Sequence, residues 1–399
     1  MKIFMICEFF DPKLEYQENL LVQYYRKHGH DVMVVASTFE SVFDYYADRH
    51  DRRAPKKEIR VDGARIVKLP YRYNILNRLR AHHPIDRYLE EFKPDLIYVH
   101  DIMLNLPDCI RYMKRHPETR MILDYHADAS NSGKNWLSVR VLHGVIRRWF
   151  LDRARPYLSR IYPVVPAGAD FLTEVYGVPA HEMELLPLGT DLDFARAVSA
   201  SDARVRRRRE LGIGDGDLAV FTGGKLHPTK RTEDLLSAFR SLDRPDVRLL
   251  VGGDVAAGDE AYRDELRAIA GDDPRIRFLG WLDKGTMYEY MAAADLAVFP
   301  ASQSVLWQRA LGMGLPIVVS ERSDRQRGRQ DVGYLNLYGN VILLDHLKPL
   351  PNQIAHAVTD LADDREKLAR LSEGARRTAD ELLDWDKLIE RTLQFNRAA

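Results

Sequence analysis

The stretch VFTGGKLHPTKRTEDLLSAF at residues 220–239 places two glycines and two lysines where an apolar strand ends and a helix follows. Glycines at such a turn let the backbone approach a ligand closely, and the N-terminus of a helix carries a partial positive charge. Lys225 and Lys230 add two full charges at the same place. Together these groups are suited to binding a pair of phosphates. The alternative is an ordinary surface loop that carries two lysines.

Strands that alternate with helices must position this turn. Short apolar runs recur along the first half of the chain, separated by polar loops and amphipathic segments, and the rhythm restarts after residue 185. The predicted strands are KIFMIC, DVMVVAS, RIVKLP, DLIYVH, RMILDYH and IYPVV, followed by LAVFTGG, VRLLVGGD, IRFLGW, LAVFPAS, PIVVSE and NVILLD. This alternation predicts an α/β fold with parallel sheets that helices cover on both faces.

The length of 399 residues favours two such domains. We expect a Rossmann-like domain at 1–185 and a second one at 186–379. A helix at about 380–399 is expected to pack back on the first domain. Two doubly wound domains in tandem would face each other across a cleft at the carboxyl ends of their strands, where ligands bind. Functional residues should therefore lie in strand-to-helix loops.

The composition excludes several classes of protein. Lysine plus arginine and aspartate plus glutamate both number 59, so no overall field attracts nucleic acid. The two cysteines, Cys7 and Cys109, have no spacing typical of a disulfide framework or a zinc site.

The start MKIFMICEFF is interrupted by Glu8 and predicts a buried strand rather than a signal peptide. No stretch approaches the roughly 18 apolar residues of a membrane span. We expect a cytoplasmic protein, and a peripheral position at the inner face of the membrane stays open.

Several motifs, in order along the chain, resemble those of retaining GT-B glycosyltransferases of family 4, the group 1 class. The segment GKLHPTK (224–230) resembles the family's G-R-L-x-x-x-K, with Lys225 in place of arginine. LLPLGTDLDF (185–194) resembles the segment after the interdomain link, and ALGMGLPIVVS (310–320) resembles A-M-A-x-G-x-P-V-V. The resemblance implies the GT-B fold, in which the domain at 1–185 would bind the acceptor and the domain at 186–379 would bind the donor. It also implies that Lys225 and Lys230 hold the diphosphate of a nucleotide-sugar donor and take part in catalysis.

The segment before ALGMG departs from the family pattern. The family carries two glutamates seven residues apart, whereas this chain reads PASQSVLWQRALGMG, with Gln308 at the second position and Gln303 or Ser302 near the first. By resemblance Gln308 binds the ribose through uncharged hydrogen bonds. The alternative is that both glutamines are solvated polar residues at a helix start. Backbone amides at that start would face the diphosphate. The predicted donor-binding residues are Gly224, Trp281, Gln303, Ser304, Val305, Leu306 and Gln308.

Other candidates follow predicted strands. Trp281 would stack on a nucleobase or be buried between helices. His126, at the end of RMILDYH, resembles the family's histidine near the donor sugar and is the predicted catalytic histidine, or else a structural one. The first loop replaces the family's glycine-rich acceptor loop but has no glycine, so its polar side chains would contact the acceptor. The predicted acceptor-binding residues are Tyr16, Gln17, Glu18, His100 and Asp101.

The segment SVRVLHGVIRRWFLDRARPYLSRIYP (138–163) is strongly basic. It carries six arginines against the single Asp152, with Trp149, Phe150 and aliphatic residues interleaved. A basic amphipathic helix can rest on an anionic membrane or attract a lipid diphosphate. The alternative is a helix that packs on the core and leaves a solvated basic side.

The resemblance implies a retaining glycosyltransferase that moves a sugar from a nucleotide-diphosphate sugar to an acceptor hydroxyl. Surface polysaccharide, glycolipid or glycosylated natural-product biosynthesis would be its setting. Lysines and amides can stabilise the leaving diphosphate, and no Asp-x-Asp motif stands at a strand end, so we expect no metal and no other cofactor. The acceptor would be a sugar, a lipid-linked molecule or a small molecule, and the protein a monomer or homodimer. The alternatives are a catalytically silent nucleotide-sugar binding protein and a GT-B sugar-nucleotide epimerase.

Overall fold

The computed structural model describes residues 1–14, 16–39, 55–75, 78–128, 132, 136–301, 304–320 and 332–394. The chain divides into two compact units. Unit 1 comprises Met1–Pro187 together with Trp385–Ala399, and unit 2 comprises Leu188–Asp384.

A doubly wound sheet forms the centre of unit 1. The strands of this unit are β1 (Lys2–Ile6), β2 (Asp31–Ser37), β3 (Lys57–Val61), β4 (Ala64–Leu69), β5 (Tyr71–Ile75), β6 (Leu79–His82), β7 (Leu96–His100), β8 (Arg120–Tyr125) and β9 (Leu158–Pro163). Seven of them form one sheet in the order β3-β4-β2-β1-β7-β8-β9. All neighbours are parallel except β3 and β4. The strand order reverses between β1 and β7, which is where doubly wound sheets bind ligands.

Helices cover the sheet of unit 1. They are α1 (Gln17–Lys27), α2 (Asp86–Phe92), α3 (Leu106–Arg115), α4 (Arg148–Ala154) and α5 (Pro166–Tyr176), and a π-helical stretch, Ser138–Arg147, leads into α4. The C-terminal helix Trp385–Leu393 also belongs to this unit. Its Trp385 is buried in the apolar cluster that contains Tyr25, and the Tyr25 hydroxyl lies 2.5 Å from Thr392 Oγ1. The last helix therefore completes the core of unit 1.

The six strands of unit 2 follow the same order as the six parallel strands of the sheet in unit 1. The strands of unit 2 are β10 (Leu218–Gly223), β11 (Val247–Gly252), β12 (Ile276–Gly280), β13 (Leu296–Phe299), β14 (Ile317–Ser320) and β15 (Val341–Leu344). They are all parallel, in the order β12-β11-β10-β13-β14-β15, so the reversal falls between β10 and β13. The helices are α6 (Leu192–Ser199), α7 (Ala203–Leu211), α8 (Thr232–Ser241), α9 (Glu260–Ala270), α10 (Lys284–Ala293), α11 (Leu306–Gly312), α12 (Leu350–Asp363) and α13 (Arg365–Thr378).

The predicted α/β fold with two Rossmann-like doubly wound sheets is confirmed. Every predicted strand is present, because strands buried on both faces of a parallel sheet are continuous apolar runs. The strands β3, β5 and β6 were not predicted. Neither β3 nor β5 contains a fully buried residue, so both lack the apolar run of a strand buried in a parallel sheet, and β6 is only four residues long.

Backbone packing between neighbouring loops explains the glycine pair beside the lysines. The Gly224 amide donates to the Gly252 carbonyl at 2.9 Å, and the Gly253 amide donates to the Gly280 carbonyl at 2.7 Å. Gly224 and Gly253 have φ of 107° and 120°, and a Cβ on Gly253 would lie 1.9 Å from the Gly224 carbonyl oxygen. Contact between protein loops therefore requires glycine here, independently of any ligand.

Gly253→Ala should destabilise unit 2 by about 2–4 kcal/mol, because the added methyl group overlaps the Gly224 backbone and φ is unfavourable for alanine. Gly216→Ala is the matched control, since a Cβ there meets nothing within 4 Å. Urea unfolding followed by circular dichroism measures both. Equal midpoints for the two variants would contradict this account of the loop packing.

Candidate functional site

A small crevice opens at the carboxyl ends of β10 and β13, where the strand order of unit 2 reverses. Three predicted donor-site residues, Lys225, Lys230 and Ser304, line it together. The remaining lining residues are Thr222, Gly223, Leu226, Thr232, Phe299, Pro300 and Ala301. The volume of about 10 Å³ is that of a single water molecule, so a phosphate would lie at the mouth of the crevice.

The two lysines differ in their surroundings. Lys225 is exposed, whereas Lys230 is half-buried at the end of the 3₁₀ turn Pro228–Lys230. Burial lowers the pKa of the Lys230 ammonium from 10.5 to about 8. The next residue, Arg231, has φ of 54° and forms an ion pair of 2.6 Å with Asp234 in the first turn of α8. Because acids occupy that first turn, the lysines carry most of the positive charge at this site.

The turn before α11 borders the same crevice. The Ser304 hydroxyl accepts a hydrogen bond of 3.3 Å from the Leu306 amide, and the Ser304 carbonyl accepts one of 3.1 Å from the Trp307 amide. The Leu306 amide, which was predicted to face the diphosphate, is therefore already bonded within the turn. Val305 is 43% exposed.

Gln308 supports this turn from inside the protein. Its side chain is only 4% exposed, so the alternative of a solvated polar residue at the helix start is wrong for this position. The amide is assigned with its nitrogen towards the carbonyls of Ser304 and Val305, both at 3.2 Å, because the opposite orientation would place oxygen against these acceptors. Its contact with a ribose remains a prediction. Gln303 and Ser302 lie outside the described residues.

Trp281 lies on another part of unit 2. It follows β12, which is the edge strand of the sheet, two strands away from β10. The ring is 71% exposed, so the alternative of burial between helices is wrong. Trp281 does not line the crevice that contains the lysines.

In unit 1 a buried carboxylate joins two of the predicted residues. Asp124, in β8, is fully buried, and its Oδ2 lies 3.0 Å from His100 Nδ1 and 3.2 Å from His126 Nε2. The same oxygen accepts a hydrogen bond of 2.9 Å from the Tyr98 hydroxyl. The Asp101 amide donates to Oδ1 at 3.1 Å. Each carboxylate oxygen thus has donors, which offsets the cost of burying the charge.

This network fixes the charges of its members. Burial alone would lower the pKa of His100, but the Asp124 carboxylate outweighs it and raises the pKa to about 9. Burial would raise the pKa of Asp124, but His100 and His126 hold it well below its usual range. His100 is therefore an imidazolium at neutral pH. Because an ionised carboxylate only accepts hydrogen bonds, His126 carries its hydrogen on Nε2.

Three of the five predicted acceptor-binding residues line a cavity of about 160 Å³ beside this network. Glu18, His100 and Asp101 line it, whereas Gln17 is 7% exposed and donates at 3.5 Å to the Tyr98 hydroxyl. Gln17 and Glu18 form the first turn of α1 rather than a loop, and Tyr16 is the residue before that helix. Burial raises the pKa of Glu18, and the charge of His100 opposes this rise.

Sequence reasoning missed several residues of unit 1. Arg78, Arg80, Arg147 and Glu8 also line the cavity, and Glu8 forms an ion pair with Arg80. Asp124 was treated only as part of a strand. A carboxylate within the otherwise apolar run MIL-D-Y was the available signal, since buried acids require partners.

One group of side chains in the described part of the chain has the chemistry of a metal site. The potential ligand atoms of His100, Asp124 and His126 lie within 4.8 Å of one another. The hydrogen bonds described above satisfy these atoms without an ion. Asp-x-Asp triplets occur at 191–193, 215–217 and 384–386, and in the first of them Asp191 caps α6 and forms an ion pair of 2.8 Å with Lys284.

Two family models match the chain. The model of Glycosyltransferase Family 4 matches residues 19–194, and the model of Glycosyl transferases group 1 matches residues 217–364. The first match lies almost wholly in unit 1, and the second lies within unit 2.

Curated relatives are similar at low identity. A GDP-mannose-dependent monoacylated alpha-(1-6)-phosphatidylinositol monomannoside mannosyltransferase of Corynebacterium glutamicum is 23% identical over 221 residues, which is 52% of this chain and 54% of that protein. A D-inositol 3-phosphate glycosyltransferase of Xylanimonas cellulosilytica is 27% identical over 227 residues, 55% of this chain and 52% of that protein. The chain therefore spans about half the length of these curated relatives.

Solved structures resemble the whole fold. Anabaena HepE in complex with UDP and glucose has a TM-score of 0.66 at 17% identity, with 98% of this chain and 99% of that chain covered. Sucrose-phosphate synthase from Thermosynechococcus elongatus has a TM-score of 0.67 at 15% identity, with 98% of this chain and 97% of that chain covered.

No helix among the described residues has the length and apolar character needed to cross a membrane. The family matches and the shared GT-B fold show that this chain belongs to the family 4, group 1 class of glycosyltransferases.

Proposed function

We propose that the protein transfers a sugar, with retention of anomeric configuration, from a nucleotide-diphosphate sugar to a hydroxyl group of an acceptor. The reaction would need no metal and would take place in the cytoplasm. The observation that carries this proposal is the position of Lys225 and Lys230 beside Ser304, at the reversal of strand order in unit 2. Two cations at the carboxyl end of such a strand are well suited to bind a diphosphate.

The leaving diphosphate gains negative charge as the glycosidic bond breaks. Two ammonium groups held in place before the reaction stabilise that charge, which is usually the largest contribution an enzyme makes. Lys230 is partly desolvated, so its attraction for the phosphate is stronger than that of an exposed lysine. The family's first glutamate is absent, and these two cations would carry most of the stabilisation.

Unit 1 would bind the acceptor in the cavity lined by Glu18, His100 and Asp101. Asp124 orients the His126 ring through Nε2, at 3.2 Å, and His126 would contact a hydroxyl of the sugar. His100 remains charged and cannot act as a general base near neutral pH. As the family resemblance implies, the proton of the acceptor hydroxyl would pass to an oxygen of the departing phosphate.

The comparisons support the donor class more closely than the acceptor. The relatives include GDP-mannose-dependent enzymes, and HepE was crystallised with UDP-glucose. The relatives' names mention phosphatidylinositol monomannoside and D-inositol 3-phosphate, while one HepE complex contains glucose. We assign the reaction to surface polysaccharide, glycolipid or glycosylated natural-product biosynthesis.

Nucleoside diphosphates should bind the full chain, and Lys230→Ala should weaken that binding by at least tenfold and abolish sugar transfer. The reason is loss of the half-buried ammonium at the diphosphate site. Thermal shift and calorimetry with UDP, GDP and ADP identify the base, and nucleotide release from the corresponding sugars with and without acceptors measures turnover.

Lys348→Ala is the control, because Lys348 follows β15 at the far edge of the sheet and pairs only loosely, at 3.4 Å, with Asp345. Binding without turnover against any acceptor would favour a silent nucleotide-sugar binding protein. Unchanged binding in Lys230→Ala would remove this lysine from the site.

Nucleotide affinity should fall about fivefold between pH 8 and pH 9. The free protein loses the Lys230 proton near pH 8, whereas the diphosphate binds the charged form, so binding above pH 8 must take up a proton. Calorimetry of ADP, UDP or GDP binding across this range measures the slope. Lys230→Arg should flatten it, since arginine stays charged. The same slope in both proteins would show that another group is responsible.

Asp124→Asn should lower the pKa of His100 from about 9 to below 6.5, because burial of the imidazole persists while the carboxylate charge is lost. NMR titration of the imidazole resonances measures this shift, with Asp108→Asn as the control.

The raised pKa of His100 also stabilises the folded protein. That contribution is complete below pH 6.5 and is lost as the pH rises through 9. A titration midpoint of His100 that is the same in Asp124→Asn as in the unmodified protein would refute the assignment of this ion pair.

A further inference from the structure

An exposed apolar stripe runs along the helical segment 136–154 of unit 1. We call its solvent-facing residues the outer face of this segment. They share exposure and a spacing of about four residues, which aligns side chains on one side of a helix. The apolar members are Trp136, Leu137, Val141, Val145 and Trp149, and the charged members are Arg140, Arg148, Asp152 and Arg153.

The degree of exposure is unusual for residues of this size. Trp136, Leu137 and Val145 are 71%, 63% and 62% exposed, and Val141 and Trp149 are 38% and 48% exposed. Single exposed apolar residues are ordinary, but a contiguous group marks an interaction site. The opposite side of the segment is packed, since Leu151 and Ala154 are fully buried in the core of unit 1.

The protein neutralises the charges on the outer face only in part. Three arginines stand against one aspartate, and Arg148 pairs with Asp152 at 3.4 Å. In the ranges that the structure describes, no ion pair or hydrogen bond involves Arg140. Arg153 lies over the Trp149 ring, 4.1 Å from its centroid. The face is therefore both apolar and positive.

Helix α7 provides an internal comparison. It also carries many arginines, but four of them form ion pairs with Asp295 or Glu289 at 2.6 to 3.2 Å. Val205 is the large apolar residue of α7 that is strongly exposed, at 60%. Arginine content alone therefore does not distinguish the outer face. The outer face differs from α7 because it combines an apolar stripe with arginines that are not all held in ion pairs.

We propose that the outer face of 136–154 docks on the surface of an anionic lipid bilayer. Tryptophan and aliphatic side chains would enter the headgroup boundary, and the arginines would contact lipid phosphates. A second copy of the chain fits less well, because two copies of a net positive face repel each other when placed together. This docking is independent of the proposed transfer reaction, since none of these side chains lines the crevice or the cavity described above.

Co-sedimentation of the full chain with vesicles tests the proposal. We expect binding to vesicles of phosphatidylcholine with about 30% phosphatidylglycerol, little binding to pure phosphatidylcholine, and loss of binding at 0.5 M salt. Val145→Asp and Arg140→Glu should each reduce the partition coefficient at least tenfold. The matched variants on α7, Val205→Asp and Arg209→Glu, should leave it unchanged. Nucleoside diphosphate binding should be the same in all four, which separates this test from that of the transfer reaction.

Three results would overturn the docking surface. The first is no binding to the anionic vesicles. The second is equal loss of binding for the outer-face and α7 variants. The third is a change of oligomeric state in Val145→Asp by light scattering with vesicle binding unchanged, which would assign the face to a second copy of the chain. Thermal melting of each variant confirms that the substituted chain is folded.

Discussion

The reversal of strand order at the centre of each sheet is the constraint from which both candidate sites follow. On either side of that point the connections leave towards opposite faces, so the loops diverge and the strand ends remain open. In unit 2 this leaves the crevice between β10 and β13 that Lys225 and Lys230 line. In unit 1 it leaves the cavity beside β1 and β7. The same topology thus positions two lysines in unit 2 and a network of histidines around a buried carboxylate in unit 1.

The two units solve the problem of placing charge at a strand end in different ways. In unit 2 burial lowers the pKa of the half-buried Lys230 to about 8, so its ammonium group is still mostly charged at neutral pH and attracts an anion. Unit 1 balances its charges internally, because Asp124 is buried beneath His100 and His126 and receives hydrogen bonds on both oxygens. The first arrangement suits binding of a charged group. The second suits fixed orientation of side chains that contact neutral hydroxyls.

The sequence was sufficient for the fold and for part of the site. Buried parallel strands are recognisable as apolar runs, and the lysines stand at the end of one such run. The histidine network was not predictable, because Asp124 receives its donors from Tyr98 and His100, on a neighbouring strand more than twenty residues away. Burial of Gln308 depends on the turn that it supports, and the exposure of Trp281 depends on β12 being an edge strand. The glycine pair was correctly noticed, but packing against Gly253 accounts for it.

The central claim is that the lysines of unit 2 bind the diphosphate of the donor. A crystal structure of the chain with UDP or GDP bound tests it most directly. The account predicts phosphate oxygens within hydrogen-bond distance of the Lys225 and Lys230 ammonium groups, at the mouth of the crevice beside Ser304. A nucleotide bound elsewhere, with both lysines directed into solvent, would contradict it.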